Sequence, residues 1–79
     1  MVIEEIKFEL KNGKPVCRNA WPLGYYIYVR NNQLRACVLN DDGTSYCVYH
    51  CSLTDNALSI EDLLADDWVF YDVPDGSLG

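Results

Sequence analysis

Ile3, Ile6 and Leu10 recur at helical spacing, with Lys7 on the same side and Glu4, Glu5 and Glu9 on the wet side. The two early glutamates suit the first turn of a helix and Lys11 the last, by the dipole rule. Asn12-Gly13 is a good C-terminal stop, and Pro15 forbids the helix to continue. The pattern predicts a helix from about residue 3 to 11. Phe8 lies off the apolar stripe and is free to cover another surface. Lys14 to Arg18 should be extended. Asn19 to Gly24 reads as a loop punctuated by Pro22 and Gly24.

From Tyr25 to Arg30 the chain is aromatic and β-branched, which predicts a strand. Asn31-Asn32 suits a two-residue turn, because Asn tolerates positive φ. Gln33 to Asn40 returns, Asp42-Gly43 marks a second turn, and Thr44 to Cys51 runs back. The result is a three-stranded meander. With two central residues in each turn, the register follows. One face carries Tyr25, Ile27, Val29, Leu34, Ala36, Val38, Cys47, Tyr49 and Cys51, and reads as core. The other carries Tyr26, Tyr28, Arg30, Gln33, Arg35, Cys37, Leu39, Tyr46, Val48 and His50. It is too apolar for a plain wet face and too polar for a second core. Tyr and Arg are enriched at interface hot spots, so this face reads as a surface that meets another subunit. A solvated face with ordinary surface tyrosines is the plainer alternative.

Ser52 to Leu58 reads as a loop into a second, short helix. Ser59 followed three residues later by Asp62 marks its start: the hydroxyl accepts a free backbone N–H, and the carboxylate lies at the positive end of the helix dipole. Leu63, Leu64 and Ala65 make this helix apolar, and Asp66-Asp67 break it. Trp68 to Tyr71 then reads as a buried strand. On its own this handover is a packing device. The fold class is therefore α+β: a small antiparallel sheet, meander plus C-terminal strand, with an N-terminal helix and a short helix in the C-terminal half. Residues 1–73 form a single domain and 74–79 a frayed tail.

The chain has 79 residues. A domain of this size buries only about 60% of its unfolded surface, so a partner subunit is a natural staple. No apolar run is long enough for a signal peptide or a transmembrane span, which makes the cytoplasm the expected location and a membrane no partner. All six basic residues fall in the first 35 positions beside three acids, leaving +3 there. The remaining 44 residues hold nine acids and no Lys or Arg, or −9. A long nucleic acid is disfavoured as a partner, since phosphate neutralisation needs a basic surface. One or two arginines could still hold a small anion.

The cysteines, Cys17, Cys37, Cys47 and Cys51, fit no zinc spacing. On a strand, Cys47 and Cys51 lie about 13 Å apart, and His50 points to the opposite face. They read as small thiols and not as metal ligands. The one histidine has no nucleophile arrangement around it, and no glycine-rich phosphate loop is present, so neither catalysis nor a cofactor is expected. Trp21 is more informative. It either plugs the end of a small core or stacks on a planar ring. Arg18 lies three residues before it, and an aromatic plane beside a guanidinium is a common way to hold a nucleotide.

Phe8, Gly13-Lys14-x-Val16-x-Arg18-x-x-Trp21, a strand hairpin, Asp42-Gly43 and Ser59-x-x-Asp62-Leu63-Leu64-Ala65-x-Asp67-Trp68 occur in this order. The series resembles the second type of Thoeris anti-defence proteins, a family of small phage proteins, over residues 8 to 70. The resemblance implies a sponge active inside the infected bacterial host. Such proteins bind cyclic ADP-ribose signals of Thoeris defence, and some hold cyclic dinucleotides. They assemble as homotetramers with ligand pockets between protomers and catalyse nothing. Carried over by motif, Phe8, Arg18 and Trp21 would line the pocket from one segment, and Ser59 and Asp62 from the other. Trp68 would be core. The Tyr/Arg face would supply further contacts, with Tyr26 as its ligand residue. The rival expectation, motivated by the −9 region, is an acidic inhibitor that binds a basic host protein.

Overall fold

The computed structural model describes residues 1–52 and 58–72. Helix α1 spans Ile3–Lys11, as the spacing predicts. The Glu5 carboxylate accepts the Val2 N–H at 3.0 Å. At the far end the Lys14 N–H donates to the Glu9 carbonyl (2.9 Å) and the Gly13 N–H to the Leu10 carbonyl (3.1 Å). Gly13 sits at φ +96°. These two bonds and the left-handed glycine make a Schellman stop. Ile3, Ile6 and Leu10 are buried, while Phe8 points outward.

Strands β1 (Val16–Arg18), β2 (Tyr25–Arg30), β3 (Gln33–Leu39), β4 (Ser45–Ser52) and β5 (Trp68–Phe70) form one sheet in the order β4-β3-β2-β1-β5. Every neighbouring pair is antiparallel. The extended segment after α1 is thus a central strand, paired with β2 on one side and β5 on the other. The β2–β3 turn is the expected one: Asn31 and Asn32 have φ of 52° and 60°, and Arg30 faces Gln33. This matches a type I′ turn, whose twist suits a two-residue hairpin.

The β3–β4 connection departs from the two-residue expectation. Leu39 faces Ser45, and the Asn40 N–H donates to the Thr44 carbonyl (2.7 Å), leaving Asp41, Asp42 and Gly43 as a three-residue loop. Asp42 Oδ1 accepts from the Thr44 N–H (3.0 Å) and hydroxyl (2.6 Å). Farther along, Cys37 faces Cys47 but Ala36 faces Tyr49, so Val48 is the extra residue of a β-bulge. Because side chains alternate faces, the near half of β4 is inverted relative to the prediction. Cys47 lies opposite Cys37 and not on the core face, and Tyr46 lies opposite Val38.

The first face packs on α1 as expected. Ile3, Ile6, Leu10, Val16, Ile27, Val29, Leu34, Ala36 and Trp68 form one buried cluster, with Tyr25, Cys51, Leu58 and Ala65 against it. The second face corrects the sequence reading, which held it too polar for a core. Cys17, Tyr26, Tyr28 and Cys37 are buried together within the protomer, flanked by Leu39, Val69 and Tyr71. Tyrosine rings can do this when their hydroxyls are satisfied. Tyr26 stacks on Tyr71 with centroids 5.1 Å apart and planes 9° from parallel, and its hydroxyl donates to Ser45 Oγ at 2.9 Å. Arg30, Gln33 and His50 remain exposed.

Helix α2 spans Ile60–Leu64 and buries none of its residues; Ile60 and Leu64 are largely exposed. Of the apolar run predicted to pack, Ala65 reaches the first cluster, while Leu63 and Leu64 stay exposed. Trp68, fully buried just after it, supplies the anchorage instead. Among the described residues no helix is long and apolar enough to cross a membrane. The expectations for most of the loop before Ser59 (53–57) and for the tail (74–79) fall outside the described residues.

Candidate functional site

Beside the end of the sheet, Trp21, Pro22, Tyr25, Ile27, Leu58, Ser59 and Asp62 enclose a pocket of about 330 Å³. One wall is the β1–β2 loop. It is shaped by the Trp21 N–H donating to the Arg18 carbonyl (3.0 Å) and the Tyr25 N–H to the Pro22 carbonyl (3.1 Å). The loop closes onto β3 through Gly24, whose carbonyl accepts the Leu39 N–H at 2.9 Å. Gly24 has φ +89°, and a Cβ there would lie 2.8 Å from the Leu39 carbonyl oxygen, so only glycine fits.

The other wall is the start of α2. Ser59 is the N-cap, and its hydroxyl oxygen accepts the Asp62 N–H at 3.2 Å. A helix this short is marginal alone. Tertiary bonds through Asp62 hold it: the carbonyl accepts the Trp68 indole N–H at 3.0 Å, and the carboxylate accepts from Arg18.

Arg18 lies behind the pocket. Its Nε donates to Asp67 Oδ1 (2.7 Å) and its Nη1 to Asp62 Oδ1 (2.8 Å), with only 13% of the side chain exposed. The hydrogen bond to Asp67, then that to Asp62, pushes the guanidinium pKa up. The same Arg18 bond, aided by the Ala20 N–H, holds the Asp67 carboxyl below its ordinary value against the cost of desolvation. Asp67 also ties down the loop: its Oδ2 accepts from Ala20 N–H and its carbonyl from Asn19 N–H, both at 3.1 Å. One acidic residue thus positions both the arginine and the loop that carries Trp21.

Trp21 meets Tyr25 and Trp68 edge-on, each with centroids 5.2 Å apart. It plugs the core edge and at the same time lines the pocket. Of the six residues expected at a ligand site, the fold brings Trp21, Ser59 and Asp62 to one pocket and sets Arg18 directly behind Asp62. Phe8 is 74% exposed and does not line this pocket. Tyr26 is fully buried in the second cluster and does not line it either.

The family model of the Tad2-like domain, Thoeris anti-defense 2-like, matches residues 1–71. The chain belongs to the Tad2-like family. No curated protein and no solved structure matches it. The family places the Tad2-like chain in Thoeris anti-defence, in agreement with the order of its sequence motifs.

Sequence reasoning did not assign Tyr25, Pro22, Ile27 and Leu58 to the pocket, nor Asp67 to its scaffold. The alternation did put Tyr25 and Ile27 on one face, and Pro22 flanks Trp21. For Asp67 the only local signal is a helix end. Its partners are 47 and 49 residues away, and no short-range pattern announces them.

Proposed function

We propose that this Tad2-like chain is a sponge: it binds a cyclic nucleotide immune signal, a cyclic ADP-ribose isomer or a cyclic dinucleotide, and holds it without cleaving it. The observation that carries the reading is the convergence of Trp21, Ser59 and Asp62 on one pocket from segments 38 residues apart. An aromatic edge, a hydroxyl and a carboxylate around an apolar floor suit a ring joined to a sugar.

Capture at nanomolar levels needs roughly 12 kcal/mol. A pocket of about 330 Å³ lies at the small end of ligand sites, which run from about 300 to 1,000 Å³. It can enclose one ring and its sugar, and the rest of a cyclic signal needs a second surface. Leu23 and Ile60 lie exposed between lining residues along the chain, and Leu64 is exposed at the end of α2. A second copy of the chain, in a homotetramer, would cover these side chains and complete the site. Phe8, which the protomer leaves bare, is the contact expected from a neighbour. Tyr26 keeps its place in the second cluster and makes no ligand contact in this reading. The rival acidic-inhibitor reading loses ground at Asp67, whose carboxylate is engaged by Arg18 and Ala20.

Isothermal titration with cyclic ADP-ribose isomers and cyclic dinucleotides tests the proposal. Tight binding with recovery of intact ligand is expected, lost in Trp21→Ala. No heat from any member of the panel would sink it.

A further inference from the structure

The charges around the pocket decide which part of a nucleotide it can take. Arg18 is the only cation at this site among the described residues, and it is bonded to Asp62 and Asp67. One guanidinium between two carboxylates leaves the triad at −1. Arg18 does not line the cavity, whereas Asp62 does. The lining groups are a carboxylate, a hydroxyl and apolar or aromatic side chains, with no positive charge. A phosphate placed here would face the like charge of Asp62.

The unfilled hydrogen-bonding capacity points the same way. Asp62 Oδ1 accepts from Arg18, while Oδ2 has no partner among the described residues. Ser59 Oγ accepts the Asp62 N–H, which leaves its own O–H to donate. An ionised carboxylate is an acceptor only, and each free ribose hydroxyl brings a donor. Ser59 and Asp62 lie on the first turn of α2, facing the wall made by Trp21 and Tyr25.

We propose that this pocket reads the ribose hydroxyls of a nucleotide ligand through Asp62 and Ser59, with the base against Trp21, and that it rejects the phosphates, which stay at the mouth. The proposal rests on the sponge reading and names the part of the signal that this chain's own residues recognise. The usual assignment of an arginine beside an aromatic ring to phosphate does not hold for Arg18. That side chain is a positioning residue, which fixes the Asp62 carboxylate.

The test titrates ¹⁵N-labelled protein with adenosine, 2′,3′-dideoxyadenosine and inorganic pyrophosphate. The two indole N–H signals are followed. Trp21 lines the pocket, and the Trp68 indole donates to the Asp62 carbonyl, so both report on it. Adenosine should shift them, the dideoxy analogue should bind at least tenfold more weakly, and pyrophosphate should leave them unmoved. Asp62→Asn should weaken adenosine and strengthen any residual pyrophosphate response. Equal binding of the dideoxy analogue, a stronger response to pyrophosphate, or silence toward adenosine would each overturn the proposal. A cyclic ADP-ribose isomer titrated in parallel separates the two readings. If the isomer binds while these arms reverse, the ribose assignment falls alone. If adenosine behaves as expected and no cyclic nucleotide binds, the sponge reading falls and the pocket chemistry stands.

Discussion

Arg18 Nε meets Asp67 Oδ1 at 2.7 Å, and the other oxygen of that carboxylate accepts the Ala20 N–H at 3.1 Å. The bond joins β1 to the turn before β5 and fixes the loop that presents Trp21. Its pH dependence has a definite sign. The folded pKa of Asp67 lies below its ordinary value of 3.8, so its stabilising contribution is present above about pH 4. It is lost as the pH falls through the folded value. Asp67→Asn should therefore lower the urea midpoint at pH 7, and the gap from the wild type should narrow below pH 4. A gap that stays constant from pH 7 to 3 would show that the charge on Asp67 does not matter.

Trp68 carries more packing than any other aromatic side chain of the first cluster. It is fully buried, meets Trp21 edge-on and donates its indole N–H to Asp62. Trp68→Ala should cost about 3–5 kcal/mol, the range for deleting a buried aromatic. In a domain whose total stability is on the order of 5–15 kcal/mol, that is a large fraction. Trp68→Phe should cost less but free the C-terminal end of α2, since the bond to the Asp62 carbonyl is gone. Urea denaturation gives the first quantity, and amide exchange at Leu63 and Ala65 the second. Unchanged exchange in the Phe variant would mean that the indole bond does not hold the helix.

Much of this frame is legible in the sequence, because its signals are local. Ile3, Ile6 and Leu10 announce α1, Asn31-Asn32 the first hairpin, and Ser59 with Asp62 the start of α2. What escaped is non-local or depends on one residue of register. The three-residue loop 41–43 puts Cys47 on the second face, and the bulge at Val48 then returns His50 and Cys51 to the predicted register, with no turn residue to announce it. The burial of Tyr26 and Tyr28 depends on Tyr71 and Ser45, brought over by β5 and β4. For the pocket, motif order reached Trp21, Ser59 and Asp62. Arg18 was read as a ligand residue because its neighbour Trp21 is close in sequence, while the two carboxylates that engage it are 44 and 49 residues away.

Gly24 and Gly43 offer a paired test of strain against contact. Both have positive φ, +89° and +86°. A Cβ at Gly43 meets nothing within 4 Å, while one at Gly24 runs into the Leu39 carbonyl oxygen. Gly43→Ala should cost about 1 kcal/mol, the penalty for a left-handed alanine. Gly24→Ala should cost more and displace the loop that bears Trp21, so its indole resonance should shift as well. Equal losses for the two variants would mean that the loop yields freely and that the close approach at Gly24 is not a constraint.

Leu23, Ile60 and Leu64 are the remaining test, because their exposure is hard to reconcile with a protein that acts alone. Leu23 is fully exposed, Ile60 is 76% and Leu64 81% exposed. A short helix that shows its apolar side to water contributes little to the fold, and such patches mark association sites. If a second copy covers them, Ile60→Glu with Leu64→Glu should leave the protomer folded, because neither side chain is buried in it. The double variant should sediment as a smaller species than the wild type. Capture of a cyclic nucleotide should weaken together with assembly, since the protomer's own pocket is small for the whole ligand. Wild-type protein that sediments as a monomer at micromolar concentration, or a dissociated variant that still captures the signal at full strength, would rule out a site completed by a neighbour.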